Sequence, residues 1–251
     1  MYNFFVDEQK RADDRFFIDG SDYNHIKNVL RMRAGEKFFV NCSGISFLCR
    51  LEGFDDKSAI CIIEEENTNN TSLPIDIYLF QGLPKGDKME LIIQKAVELG
   101  VKGIVPTEMA RCVVKLDDKK KKSKKERWQS VCESGAKQCK ANFIPEIYDV
   151  LSFDKALEMA KSLDLILLPY ESKNGMKDTK DALSMIKSGM SIGIFIGSEG
   201  GFEPYEVEKA EQIGAKTVSL GKRILRTETA AITALSMCML YAEMNLNGED
   251  K

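Results

Sequence analysis

The chain has 251 residues, 43% hydrophobic and 30% charged, with a net charge of −3 at pH 7. That suits one large or two modest globular domains with a real core, and the molecule as a whole is not a polycation. No run approaches the roughly 18 apolar residues of a membrane-spanning helix, and the start, Met1 to Glu8, turns acidic too soon for a signal peptide. Seven cysteines (Cys42, Cys49, Cys61, Cys112, Cys132, Cys139, Cys238) are scattered with no CxxC pair, and read as the reduced thiols of a cytoplasmic protein. His25 is the single histidine, so no metal centre is expected.

Residues 1–72 read mainly as strands. Phe4–Val6 and Arg15–Ile18 are short β candidates, and Ser21 is placed to cap a helix from Asp22 to Arg31. Strands follow at Lys37–Val40, Ile45–Cys49 and Ala59–Ile63, the first two joined by a hairpin tip at Ser43-Gly44. Several short strands with one helix suggest a small barrel. The polar stretch Glu64 to Ser72 reads as a linker and puts a domain boundary there.

From residue 73 to 251 strand and helix alternate. Strands are expected at Ile75–Phe80, Ile104–Val105, Ile144–Tyr148, Leu165–Leu168 and Ile192–Ile196. Asp87 with Glu90, and Ser123 with Glu126, have the form of capping boxes opening two helices. Further helices are expected near Phe153–Ser162, Thr179–Lys187 and Pro204–Ile213. This alternation argues for a mostly parallel sheet with helices on both faces. The segment from Arg111 to Arg127 is strongly basic, with Lys119, Lys120, Lys121, Lys122, Lys124 and Lys125 at its centre. It is either a surface that tracks a phosphate backbone or a solvated loop. The last helix, about Thr227 to Asn245, is apolar nearly all round and must be covered; a homodimer contact is favoured over burial in the core.

Two glycine loops carry the chemistry. Gly197-Ser198-Glu199-Gly200-Gly201-Phe202 follows the strand Ile192–Ile196, and Ser219 to Ala230 leads into the last helix. Ligands of open α/β sheets bind outside the carboxyl ends of strands, and glycine lets the backbone approach them closely. The spacing is neither the dinucleotide G-x-G-x-x-G pattern nor a Walker loop. Thr227 is a natural N-cap and Glu228 complements the helix dipole. Arg226, beside a glycine loop, invites an anionic or planar partner.

At this point the residues resemble a family. His25 to Arg31, Pro84 to Glu90, Lys95 to Gly100, Arg111 to Lys115, Ala136 to Gln138, Ile196 to Phe202 and Leu220 to Ala230 together resemble the RsmE family of 16S rRNA (uracil-N3)-methyltransferases, of the SPOUT superfamily. The resemblance implies an α/β chain with a PUA-like RNA-binding β-barrel over 1–72 and a SPOUT methyltransferase domain with a deep trefoil knot over 73–251. It implies S-adenosyl-L-methionine as cofactor, 16S rRNA within the assembled small subunit as partner, and a homodimer. Carried onto this chain, the cofactor pocket takes Leu168, Ile196, Gly197, Glu199, Gly200, Gly201, Leu220, Gly221, Ile224, Leu225 and Arg226. Arg226, Glu228 and Arg111 are the catalytic candidates, and Arg31, Arg33, Lys85, Lys115, Arg127, Lys137 and Gln138 the RNA-binding ones. One departure is Ser198, where the family usually carries proline, so modestly looser cofactor binding is expected. Rival readings are a SPOUT enzyme acting on a ribose 2′-OH or a guanine, and a non-catalytic RNA-binding protein.

Overall fold

Apolar residues alternate along Arg15–Ile18 and Lys37–Cys42, so successive side chains fall on opposite faces and one face is buried. The computed structural model describes residues 1–66, 70–170 and 175–246, and divides into two units: Met1–Ser72 with Ala136–Ile144, and Leu73–Gly135 with Pro145–Lys251. In the first unit the strands are β1 (Asn3–Phe5), β2 (Arg11–Ala12), β3 (Arg15–Ile18), β4 (Lys37–Cys42), β5 (Ile45–Phe54) and β6 (Ala59–Glu66). They form one sheet in the order β1-β4-β5-β6-β3-β2, antiparallel except where β1 meets β4. β1 and β2 are its edges, so the expected barrel is an open six-stranded sheet. Its core holds Phe4, Phe16, Phe38 and Phe47, with edge-on ring pairs Phe4–Phe38 at 5.4 Å and Phe16–Phe47 at 5.2 Å.

The hairpin tip is at Ser43-Gly44 as expected, both residues having positive φ (50° and 81°), as a two-residue turn between twisted strands requires. The helix is displaced from its expected start. α1 (Gly20–Asn24) has Asp19, not Ser21, at its N-cap, and runs on as a π-turn over His25–Val29 before Arg31 turns the chain at φ 52°. Glu64–Glu66, expected in the linker, complete β6, and Asn67 to Asn69 lie outside the described residues.

The second unit holds a seven-stranded parallel sheet. Its strands are β7 (Asp76–Gly82), β8 (Gly103–Glu108), β9 (Glu146–Ile147), β10 (Leu151–Ser152), β11 (Leu165–Pro169), β12 (Ser191–Ile196) and β13 (Lys216–Val218). The order is β10-β8-β7-β12-β11-β13, with β9 also on β8. β7 and β12 are buried along nearly their whole length, as strands covered on both faces must be. Phe80 and Phe195 stack across them at 4.3 Å.

The helices are α2 (Lys88–Glu98), α3 (Asp118–Cys139), α4 (Phe153–Ala160), α5 (Met176–Ser184), α6 (Pro204–Gln212) and α7 (Thr227–Asn245). Two expected capping boxes are not formed. Asp87 holds the N-cap position of α2 without a side-chain bond, and Glu90 turns to Arg127 instead of back to Asp87, at 2.9 and 3.2 Å. α3 begins ahead of Ser123: the Asp117 carboxylate accepts the Lys120 N–H at 2.8 Å. The lysine run is therefore the first turns of a 22-residue helix and not a loop. A capping box does occur at α6, where Glu203 and Glu206 reciprocate. α7 packs on α2, β7 and β12. Its buried face is Ala231, Ala234, Leu235, Cys238 and Ala242, while Leu240 and Met244 face outward, 47% and 73% exposed.

Candidate active site

The carboxyl ends of β11, β12 and β13 open onto one pocket of about 580 Å³. Its size lies in the range of small-molecule sites. β12 delivers Ile196 and the loop Gly197 to Phe202; β11 delivers Pro169 and Tyr170; the segment after β13 delivers Ile224, Leu225, Arg226, Thr227 and Ala230. Lys88 from the start of α2 and Arg111 from the segment after β8 complete the wall.

One hydroxyl ties these parts together. Thr227 Oγ1 donates to the Gly197 carbonyl at 2.6 Å and accepts from Gln81 Nε2 at 3.0 Å, and the same Nε2 reaches the Gly82 carbonyl at 2.9 Å. The ends of β7 and β12 and the first residue of α7 are thus bonded through a buried side chain. The expected N-cap role of Thr227 falls to Arg226, because the Thr227 hydroxyl is turned back to Gly197. Close approach accounts for the glycine at 197: a Cβ there would lie 2.9 Å from the Gly201 backbone, so the loop could not close on itself. Ser198 accepts the Gly201 N–H at 2.9 Å, and its own hydroxyl is buried with no hydrogen-bond partner among the described residues.

Most of the residues assigned to the cofactor from sequence meet here: Ile196, Gly197, Glu199, Gly200, Gly201, Ile224, Leu225 and Arg226 all line the wall. Leu168 is fully buried in β11 beneath it, and Leu220 and Gly221 stand outside the wall, Gly221 turning the chain at φ 108°. Sequence reasoning gave no role in the pocket to Lys88, Tyr170 or Phe202, and none to Gln81 beneath it. Lys88 stood inside the quoted segment Pro84 to Glu90, and only its three-dimensional neighbours mark it out.

The charged groups are unequally committed. The Arg111 guanidinium grips the Glu203 carboxylate at 2.9 and 3.3 Å and the Gly200 carbonyl at 3.0 Å. It clamps the glycine loop, and the pairing holds Glu203 below its ordinary value. Buried Glu206 braces the same corner by accepting the Ala110 N–H at 2.9 Å. Glu199 accepts from the Lys88 ammonium at 2.9 Å and from the Lys85 N–H at 3.0 Å. Burial works to raise the Glu199 carboxyl, but those bonds outweigh it and hold it below its ordinary value. Glu228 lies next to the wall, with Oε2 3.6 Å from the Lys88 ammonium and no hydrogen bond to it. Arg226 lines the wall, exposed; its carbonyl accepts the Ala230 N–H at 2.8 Å, while its guanidinium makes no hydrogen bond or ion pair among the described residues.

The RNA-binding candidates are dispersed. Arg31 and Arg33 are exposed in the first unit, where Lys137 also sits, tied to Asp22 at 2.7 Å, with Gln138 exposed beside it. In the second unit Lys85 and Lys115 are exposed, while Arg127 is paired with Glu90. Lys121 and Lys125 of α3 are bound to Glu108 and Asp149, both at 2.8 Å.

Residues 71–239 match the family model of an RNA methyltransferase domain, and residues 18–64 that of an RNA methyltransferase PUA domain. Together with a parallel sheet that gathers two glycine loops at its carboxyl edge, these matches define an RNA methyltransferase. Similar chains are ribosomal RNA small subunit methyltransferase E of Bacillus subtilis, 39% identical over 97% of this chain and 98% of that one, and of Mesomycoplasma hyopneumoniae, 35% identical over 95% and 99%. A solved structure of that enzyme from Neisseria gonorrhoeae, bound to S-adenosyl methionine, has a TM-score of 0.80 and 30% identity over 98% of this chain and all of the other. A putative methyltransferase from Legionella pneumophila, also in complex with that cofactor, has a TM-score of 0.78 at 32% identity, covering 95% of this chain and 97% of the other. The chain belongs to the ribosomal RNA small subunit methyltransferase E family.

Proposed function

We propose that the chain transfers the methyl group of S-adenosylmethionine to N3 of a uridine in 16S rRNA, acting in the cytoplasm as a homodimer on the assembled small subunit. The observation that carries this reading is the pocket itself: two glycine loops bonded through Thr227, at the strand ends of an RNA methyltransferase domain. Its wall suits the cofactor. Ile196, Leu225 and Pro169 offer apolar surface for a nucleoside, closely approaching backbone replaces side chains at Gly197, and Glu199 supplies a carboxylate for a cation. When bound, the cofactor supplies an electrophilic methyl group on a sulfonium.

Uracil N3 carries a proton and becomes nucleophilic only as that proton leaves. Glu228, whose buried Oε2 has no hydrogen-bond partner among the described residues, is assigned as proton acceptor. Arg226, with its guanidinium uncommitted, is assigned to the substrate. Arg111, already bonded to Glu203 and Gly200, acts as a positioning residue for the glycine loop. The base must leave its stack to reach the methyl group, and holding it in line supplies much of the acceleration. The basic start of α3, with Arg31, Arg33, Lys85, Lys115, Arg127, Lys137 and Gln138, is assigned to the RNA. We assign the connection through the two glycine loops to a trefoil knot, and the outward face of α7 to the dimer contact.

Calorimetric titration with S-adenosylmethionine tests the pocket. Saturable one-site binding that is lost on crowding the glycine loop is expected. Absence of binding would leave the non-catalytic RNA-binding reading in its place.

A further inference from the structure

Lys88 opens α2 and lies in the pocket wall. Its ammonium bonds Glu199 Oε1 at 2.9 Å, a residue 111 positions away, and stands 3.6 Å from Glu228 Oε2 on α7. An ammonium has three donors; one is spent on Glu199, and the contact with Glu228 is too long for a hydrogen bond. The hydrogen bond it donates to Glu199 raises the lysine above its ordinary value, so it remains a cation at neutral pH. Arg226 holds the N-cap position of α7, two residues before Glu228; Glu199 shares Lys88 with it; and β7 presents uncharged Gln81, bonded to Thr227. Of the two arginines in the wall, Arg111 is consumed by Glu203 and Gly200.

Removing the N3 proton of a uracil leaves negative charge that spreads onto the two flanking carbonyl oxygens. A cation held in place beforehand by protein carboxylates stabilises such charge without reorganising. We infer that Lys88 is a catalytic residue of this reaction, its ammonium donating to a carbonyl oxygen of the target uracil as N3 loses its proton. The inference rests on the uridine-N3 reading. In the step, the N3–H bond breaks and its proton passes to the Glu228 carboxylate. The electron pair left on N3 forms the bond to the methyl carbon, and the pair of the broken S–CH3 bond stays on sulfur.

The test compares wild type with Lys88→Met and Lys88→Gln, each checked by thermal melting, on small subunits reconstituted with ordinary or 5-fluorouridine-substituted 16S RNA. Fluorine makes N3 more acidic, so less stabilisation is needed. Lys88→Met is expected to lower kcat about 100-fold on the ordinary substrate, and the deficit is expected to shrink about tenfold on the fluorinated one. The Kd for S-adenosylmethionine, read by calorimetry without turnover, is expected to stay within about twofold of wild type in Lys88→Gln, whose amide keeps a donor for Glu199. Equal deficits on both substrates, or unchanged kcat, would overturn the inference. So would a tenfold weaker cofactor Kd in Lys88→Gln, or a fall of about one in the salt slope of RNA binding, which marks a phosphate contact. Failure of the underlying reading shows separately, in wild type alone, as methyl label on a nucleoside other than 3-methyluridine.

Discussion

Thr227 is 4% exposed, and its hydroxyl serves Gly197 as donor and Gln81 as acceptor at once. Thr227→Val keeps the shape and removes both bonds, leaving the Gly197 carbonyl without its hydroxyl donor and Gln81 Nε2 with its Gly82 bond alone. The expected loss is about 2 kcal/mol of stability, measured by denaturant midpoint, together with weaker cofactor binding by titration. A variant as stable as wild type would show that the two loops are held by packing alone. Ser198, which the resemblance sets against an expected proline, lies in the Gly197 loop with a hydroxyl that has no hydrogen-bond partner among the described residues, so it adds no hydrogen bond there that would replace a proline's fixed φ. The residues bound to the site through local sequence, such as Gly197 and Arg226, were legible in the chain. Lys88 was not, because what singles it out is a carboxylate 111 positions away.

At the scale of elements, β7 ends where the glycine loop begins to turn. A Cβ at Gly82 would meet the Ser198 nitrogen at 2.6 Å and the Gly197 carbonyl carbon at 3.0 Å, backbone atoms that cannot swing aside. Gly82→Ala is therefore expected to displace the loop and weaken S-adenosylmethionine binding about tenfold, or 1.4 kcal/mol, with calorimetry as the check. Unchanged affinity would mean that the loop adapts. The longer strands in both units were readable from apolar alternation and runs, whereas β2, β10 and β13, of two or three residues, are too short to show a pattern; α7 was readable to its ends because nearly every residue from Ala230 to Ala242 suits a buried helix. Helix starts were less so. Which carboxylate caps a helix is decided by its competitors: Glu90 is drawn off by Arg127, Glu203 serves its own capping box while also holding Arg111, and Asp117 captures the helix start before Ser123 can.

For the whole molecule, the apolar outward face of α7 needs a cover, and a second copy of the chain is the assigned one. Leu240→Arg combined with Met244→Glu is expected to convert a sedimenting dimer to monomer with little loss of helix content; a wild type that sediments as monomer would remove the assignment. The parallel sheet and the placing of two glycine loops at its strand ends follow from the alternation of strand and helix, which the sequence displays; the strand order β10-β8-β7-β12-β11-β13 does not. The open edge of the first unit's sheet and the helical form of the lysine run do not, since they depend on strand pairing and on one capping carboxylate. In the proposed reaction the pocket, the Arg226 guanidinium and the Lys88–Glu228 pair all serve one act, removal of the uracil N3 proton and transfer of a methyl group to that nitrogen. Small subunits lacking the modification, incubated with the protein and S-adenosylmethionine labelled in its methyl group, then digested to nucleosides, report on that act directly. The label is expected in 3-methyluridine; label in a 2′-O-methylated nucleoside or a methylguanosine would contradict it.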